Sequence, residues 1–311
     1  MIATPFVHPQ MASAASPPPP PVDYSWYMDS TSLSDINGLG CNQANFDAAN
    51  NANSLIFLGF GVQNTDNAST TFIFGSAGSV PYSTDEQLAE SFAQGYASCG
   101  NGLHMVSLVV GTNNCNPSVN NGGGGNGWGI VVNAVNSYVT SAGIASQVQV
   151  MGGDDIESWG PPSGCPAIYP NDGSMSDGSG TTGWVQGFAA YAPNTYLLDY
   201  GSADGCPPFG SCNYSWDQYL YWYVSWGYGF DSAGPQIYYD SQSNEWAAIS
   251  AYGSNSQGNT ISFSVLVNEY DRDNSTFQPI DSWNSFWNWA TYYGVQNAIT
   301  NLYLTEVWVE T

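Results

Sequence analysis

From residue 53 onward, short apolar runs with strand spacing alternate with longer stretches of helical spacing, and this alternation restricts the chain to a few α/β folds. Strands are predicted over 55–60, 105–110, 148–151, 196–200, 221–226, 236–239, 261–267 and 302–307. Helices are predicted over 84–98, 128–140, 182–191, 244–252 and 282–293. Thr84 and Gln87 open the first of these as a capping box, and Asp281 opens the last as an acidic N-cap. Eight strands alternating with helices over roughly 250 residues fit a (β/α)8 TIM-like barrel better than an open doubly wound sheet. One β/α unit is degenerate, because GYGFDSAGP between the fifth and sixth strands is too short for a helix.

An open sheet would call for a glycine-rich nucleotide turn after its first strand. Gly59 and Gly61 lack both a third glycine and a helix directly behind them, so no dinucleotide site is read here. The tract GGGGNGWG, Gly122 to Gly129, reads as a flexible loop. Residues 1–22 read as the remnant of an export signal followed by a stiff proline arm, Pro17 to Pro21, and residues 23–311 as one barrel domain. The small residues at Ala12 to Ala15 suit a cleavage region, while the charged start and apolar centre of a signal are missing, which suggests a truncated start.

The charge balance excludes several partners. Twenty-five Asp plus Glu face one Lys or Arg, Arg272, for a net charge of −24, so the surface repels phosphate. Binding to nucleic acid or to anionic lipid needs basic clusters that are absent. No run reaches the ~20 apolar residues of a membrane span. An acidic setting would suit the chain, because carboxylates without cationic partners repel one another at pH 7 and are neutralised at low pH.

All six cysteines sit in loop-like settings, which argues for disulfides and an oxidising, extracellular or cell-surface location. Cys206 and Cys212 would close a short loop, while order and context alone pair Cys41 with Cys99 and Cys115 with Cys165. Sequons at Asn67, Asn213 and Asn274 are glycosylation acceptors if the host carries the machinery.

Barrel enzymes work at the carboxyl ends of their strands. The richest such end is VQVMGGDDIESW, in which an apolar strand runs through two glycines into Asp154, Asp155 and Glu157. Strand alternation puts Asp155 and Glu157 on one face and Asp154 on the other. Two carboxyls in one mouth can hold different pKa values, as glycoside cleavage requires. The alternative for this segment is a helix cap or a cation site. Other strand ends supply Asn113, Tyr200, Trp226, Tyr239, Glu269 and Asp271. With Trp159, the aromatic residues among them suit stacking on sugar rings, although each also suits a core. His104 begins an apolar strand, so a Ser-His-Asp or Cys-His site has little support, and no histidine cluster offers a zinc site. Carboxylate chemistry without metal or cofactor is what remains.

At GGDDIESW the chain resembles glycoside hydrolases whose barrel strand ends in Asp-x-Glu, notably families 18 (chitinases) and 25 (lysozymes). The resemblance implies Glu157 as proton donor and Asp155 as the assisting carboxylate. Positions 150–153 read Val-Met-Gly-Gly, so the fuller Asp-rich run of the chitinases is missing, as is the early Asp of the lysozyme family. LYWYVSWG and VNEYDRDNS are also similar to late strand ends of the lysozyme family. From about Cys41 onward, with YGSADGCP, WYVSWG, PQIYY and EYDRDNSTF, the chain resembles a group of secreted bacterial proteins of actinobacteria and their neighbours, which brings no activity with it.

The first expectation is a secreted glycosidase acting on a polysaccharide or cell-wall glycan, with Glu269 or Asp271 across the barrel from Glu157 and Asp155. A non-catalytic carbohydrate-binding or cell-surface barrel is the second. The third is a structural subunit of an extracellular layer or filament, self-assembling through the proline arm.

Overall fold

The structure, a computed structural model, describes residues 16–73, 78–158, 178–203, 206, 212, 215–229, 231–270, 276–299 and 302–310. Among them, eight parallel strands succeed one another around a barrel in chain order: β1 (Val22–Tyr27), β2 (Ser54–Gln63), β5 (Val106–Asn113), β6 (Val148–Asp155), β7 (Leu197–Asp199), β8 (Asp231–Ala233), β9 (Val265–Asn268) and β10 (Tyr303–Val309). Two isolated parallel bridges, Ala233 to Phe263 and Gln236 to Val267, join β8 and the segment after it to β9 and close the ring. A small hairpin, β3 (Ser69–Thr71) and β4 (Ser79–Pro81), hangs antiparallel from the end of β2. The helices are α1 (Leu33–Asn50), α2 (Tyr82–Cys99), α3 (Gly122–Ser141), α4 (Gly178–Tyr191), α5 (Gln218–Trp222), α6 (Asp240–Tyr252) and α7 (Pro279–Tyr293). The TIM-like fold expected from the alternation is the one found.

Two apolar layers hold it together. Leu55, Phe57, Val109, Met151, Leu198, Val265, Val267 and Val307 fill the barrel. Trp128, Trp184, Phe188, Trp246, Phe263 and Phe286 belong to the larger core between strands and helices.

Five local readings are corrected. The first barrel strand is β1, not 55–60. In VDYSWY the inward residues Asp23 and Ser25 are polar, so the segment lacks the apolar run that marks the other strands. The predicted strand 221–226 is helical, α5 followed by a π-helical turn over Tyr223–Gly227, and its apolar Tyr221 and Val224 pack in the outer core. The sixth strand is instead the three-residue β8, inside the connection GYGFDSAGP.

The glycine tract forms the first turns of α3 rather than a flexible loop. The Asn121 side chain caps it, accepting from the backbone N–H of Gly123 at 2.9 Å. Bare backbone is required there because a Cβ on Gly125 would lie 1.8 Å from the Trp184 carbonyl oxygen in α4. At the last helix, Gln278 is the N-cap and Asp281 sits three residues in, accepting the Gln278 N–H at 3.0 Å, so the predicted cap at Asp281 becomes a capping box.

α1 carries too few apolar residues for its pattern to register. It is held by close backbone contact with α2, where a Cβ on Gly40 would lie 2.1 Å from the Phe92 carbonyl oxygen, and by the Cys41–Cys99 disulfide between the two helices. Cys206–Cys212 also pairs as expected. Cys115 is disulfide-bonded, while Cys165 lies outside the described residues.

Candidate active site

The floor of the site is an aromatic ring seated on glycines. Gly111 and Gly153 are register partners on β5 and β6. A Cβ on Gly111 would lie 2.5 Å from the Tyr200 hydroxyl, and one on Gly153 would lie 3.0 Å from its ring, so both positions must lack a side chain. Tyr200 fills that space, stacks on Phe57 at 4.4 Å, and donates to the Thr112 carbonyl at 2.7 Å. It is 1% exposed, which corrects its expected role as a sugar platform: its faces are taken up inside the barrel.

Above the floor sits Asp155, the last residue of β6 and of the fourth barrel strand. One of its oxygens accepts from Asn113 Nδ2 at 3.0 Å and the other from Gln236 Nε2 at 2.9 Å. Gln236 also donates to the Tyr27 hydroxyl at 3.1 Å, tying the first, third, fourth and sixth sectors of the ring together. Glu269, immediately after β9, is 1% exposed and accepts a 2.7 Å hydrogen bond from the Tyr238 hydroxyl. Burial and then the Glu269 charge push the Tyr238 phenol well above its ordinary value, so it stays a donor.

Burial holds the Asp155 carboxyl well above the usual carboxylate range. The neighbouring Glu269, Asp154 and Asp199 charges add to this, and the Asn113 hydrogen bond opposes it. Burial and like charges both favour the protonated form of such a carboxyl. Glu157, half-buried just beyond the strand, accepts from the Ser202 backbone N–H at 3.3 Å. Its peptide group is clamped by Asn114 through bonds of 3.1 and 3.2 Å.

Asp154 points the other way, as alternation requires, into the layer between sheet and helices. It is fully buried and neither carboxyl oxygen has a hydrogen-bond partner. Burial, and then Asp199, push its pKa well above the usual range. Asp199 beside it accepts from Ser225 and from the Gly201 N–H, yet burial still raises it to about 7.

Asn113, Asp155 and Glu269 are therefore brought together, with Glu157 close by, and Asp154 is set apart. Tyr239 stands exposed at the start of α6. Trp226 lies near the opposite end of the barrel, where it lines a cleft of about 230 Å³ with Met151, Tyr196 and Asp231, so it is removed from the strand-end carboxyls. Trp159, Asp271, Asn213 and Asn274 lie outside the described residues. Gln236 and Tyr27 are site residues absent from the sequence expectation, and Tyr238, expected among the aromatics suited to sugar stacking, is instead the donor to Glu269. Gln236 and Tyr238 alternate toward one face of the predicted sixth strand, 236–239, which is the signal that could have found Gln236.

Neither a family model nor a curated protein sequence matches this chain. Among solved structures, it is similar to an endocellulase from Pyrococcus horikoshii in complex with cellotetraose, at 13% identity and a TM-score of 0.49, over 92% of this chain and 84% of that one. It is also similar to an endo-1,4-beta-D-mannanase from Thermotoga petrophila, at 9% identity and a TM-score of 0.41, over 93% of this chain and 87% of the other.

The sequon at Asn67 is occupied by structure. Its Nδ2 donates to the Gly123 carbonyl at 2.9 Å, its Oδ1 accepts from the Tyr82 hydroxyl at 3.2 Å, and its amide packs where Gly127 would carry a Cβ. A glycan would take one of the two hydrogens on that nitrogen and crowd an amide already packed against Gly127. Asn67 is expected to be unmodified on folded protein secreted from a eukaryotic host. Peptide mass spectrometry checks this, and a glycosylated Asn67 peptide from soluble protein would contradict it.

Proposed function

We propose that the protein is a secreted glycoside hydrolase that cleaves a neutral polysaccharide with Asp155 and Glu269 as its carboxyl pair. The observation that carries this reading is the meeting of two buried carboxyls from the fourth and seventh barrel strands over the Tyr200 floor, with a separate donor set for each. The pair suits the two tasks of glycoside cleavage: a protonated acid for the leaving oxygen, and a charged partner that attacks the anomeric carbon or activates water.

Asp155, held protonated by burial and by its acidic neighbours, takes the acid role. Glu269, fixed by the Tyr238 hydroxyl, takes the charged role. Glu157, suggested as the acid by the Asp-x-Glu resemblance, takes a supporting place at the rim, contacting sugar hydroxyls. The net charge of −24 favours an uncharged polymer. Secretion is supported by the disulfides, and no described helix is long and apolar enough to cross a membrane.

The test is reducing-sugar release from chitin, peptidoglycan, β-glucan, α-glucan and xylan between pH 4 and 7. The folded wild type is expected to release sugar from at least one polymer, and Glu269→Gln to lose that release. No release from any polymer, or full release by Glu269→Gln, overturns the reading.

A further inference from the structure

The outward rows of the barrel strands are covered by helices almost everywhere. Ile56, Leu58 and Phe60 of β2 and Val106, Leu108 and Val110 of β5 are completely buried in this way. The row on β1 and β10 is different. These strands pair in register, Trp26 beside Trp308 and Tyr24 beside Glu306, so their outward side chains form one patch. Tyr24 and Trp308 are each 40% exposed, with ring centroids 6.2 Å apart in an edge-to-face arrangement.

Beside them opens a cleft of about 430 Å³ lined by Tyr24, Trp26, Leu39 and Trp308, together with the exposed Asp35 and the buried Glu310, which accepts from the Ser30 N–H at 3.1 Å. The proline arm is engaged elsewhere: Trp283 Nε1 donates to the Pro17 carbonyl and the Ser16 hydroxyl to Asn284, each at 2.8 Å, which ties the arm to α7.

We propose that this outer cleft is a second binding surface for a neutral polysaccharide chain, separate from the strand-end carboxyls; the identity of the ligand rests on the glycosidase reading. The chemistry favours a sugar polymer. Exposed aromatic faces bury the C–H faces of pyranose rings, while carboxyl oxygens accept from the hydroxyls at the ring edge. Charge argues against the other occupants of an aromatic surface. At −24, a second copy of the chain or an anionic polymer would be repelled, and the exposed Asp35 of the cleft sharpens that exclusion. Its size lies within the range of small-ligand clefts, which suits a short stretch of a longer chain.

The experiment is affinity electrophoresis through gels containing soluble β-glucan, xylan or α-glucan, with Glu269→Gln as the parent so that the polymer is not consumed. Trp308→Ala and Tyr24→Ala are added singly to that parent, and thermal melts confirm that each variant folds. Retardation of the parent by a polymer, weakened about tenfold by either change, is the expected result; a tenfold loss corresponds to ~1.4 kcal/mol, the scale of one aromatic contact. Placed instead in the wild-type chain, which keeps Glu269, the same changes are expected to leave cleavage of short oligosaccharides unaltered.

Equal retardation of parent and variants would overturn the proposal, as would retardation by polylysine in place of any glycan. If the wild type cleaves oligosaccharides while no polymer is held through this cleft, the proposal fails and the glycosidase reading stands. If oligosaccharides are not cleaved but a polymer is held through Trp308, the glycosidase reading fails and the binding surface stands.

Discussion

Between pH 4 and pH 8 the protein is expected to become steadily less stable, the reverse of ordinary acid denaturation. The cause is a set of buried carboxyls with no lysine or arginine among the described residues to balance them. Asp199 is raised from 3.8 to about 7 by burial, and Asp23 from 3.8 to about 8 by burial and by the nearby Asp47. Asp85, Asp154, Asp155 and Asp231 are pushed in the same direction, each by burial first. Below pH 4 these groups are protonated whether the chain is folded or unfolded, and their contribution to stability is complete. As the pH rises past 4 the unfolded chain ionises and gains solvation that the folded chain cannot match. Stability therefore falls until the folded-state values near 7 to 8 are passed.

Each unit of raised pKa corresponds to ~1.4 kcal/mol, so Asp199 alone carries on the order of 4 kcal/mol across this window. That is a large share of the roughly 5–15 kcal/mol by which folded domains are stable. A loss of about 10 °C or more in melting temperature from pH 4 to pH 8 follows from the usual scaling. Circular dichroism melts at intervals of one pH unit check it. Asp154→Asn supplies the control, because this side chain faces the helix layer with both oxygens unpartnered. It should melt with the wild type at pH 4 and several degrees above it at pH 8. A melting temperature that is flat or rising toward pH 8 would show that these carboxyls are solvated or paired in solution.

The parts of the fold legible in the sequence were those in which one physical signal dominates. β2, β5 and β6 are buried on both faces and read as plain apolar runs. The alternation along VMGGDD placed Asp154 and Asp155 on opposite faces, where they are found. β1 was lost because the barrel interior is polar at Asp23 and Ser25, where an apolar residue was the criterion. Tyr221 to Trp226 reads as a strand although it is helical, because a short apolar and aromatic run satisfies either period.

The carboxyls of the site were legible from their places at strand ends. Their donors were less so. Gln236 reaches Asp155 across 81 positions of sequence, a relation that exists only once the ring closes. Tyr200 was assigned to the right end of the right strand, but its burial depends on Gly111 and Gly153 in two other strands, whose missing side chains make its pocket.

Asp155→Asn and Glu269→Gln are each expected to lower kcat/KM for polysaccharide hydrolysis by about 10²–10⁴-fold, and the double variant by little more than the worse of the two. Non-additivity follows from the chemistry: acid and charged partner act in a single bond-breaking step, so losing one leaves the other with little to assist. The same geometry sets the sign of the stability change. Glu269 is the largest of the charges that raise Asp155, and both groups are almost fully buried, so the Glu269 charge opposes ionisation of Asp155. Replacing Asp155 by Asn removes one titratable group from that contact while keeping an acceptor for one of its two amide donors, Asn113 and Gln236, whose own amide can turn to suit the other. The Asp155→Asn protein should accordingly melt at or above the wild-type temperature at pH 7 while being nearly inactive, a trade of stability for function that marks a working site rather than a core carboxyl. A core carboxyl with no part in the chemistry, such as Asp154, would share the gain in melting temperature but lose activity only in proportion to unfolded protein. Melting curves and initial rates on one preparation of each variant separate the two. Full activity in Asp155→Asn, or losses that simply multiply in the double variant, would remove this pair from the chemistry.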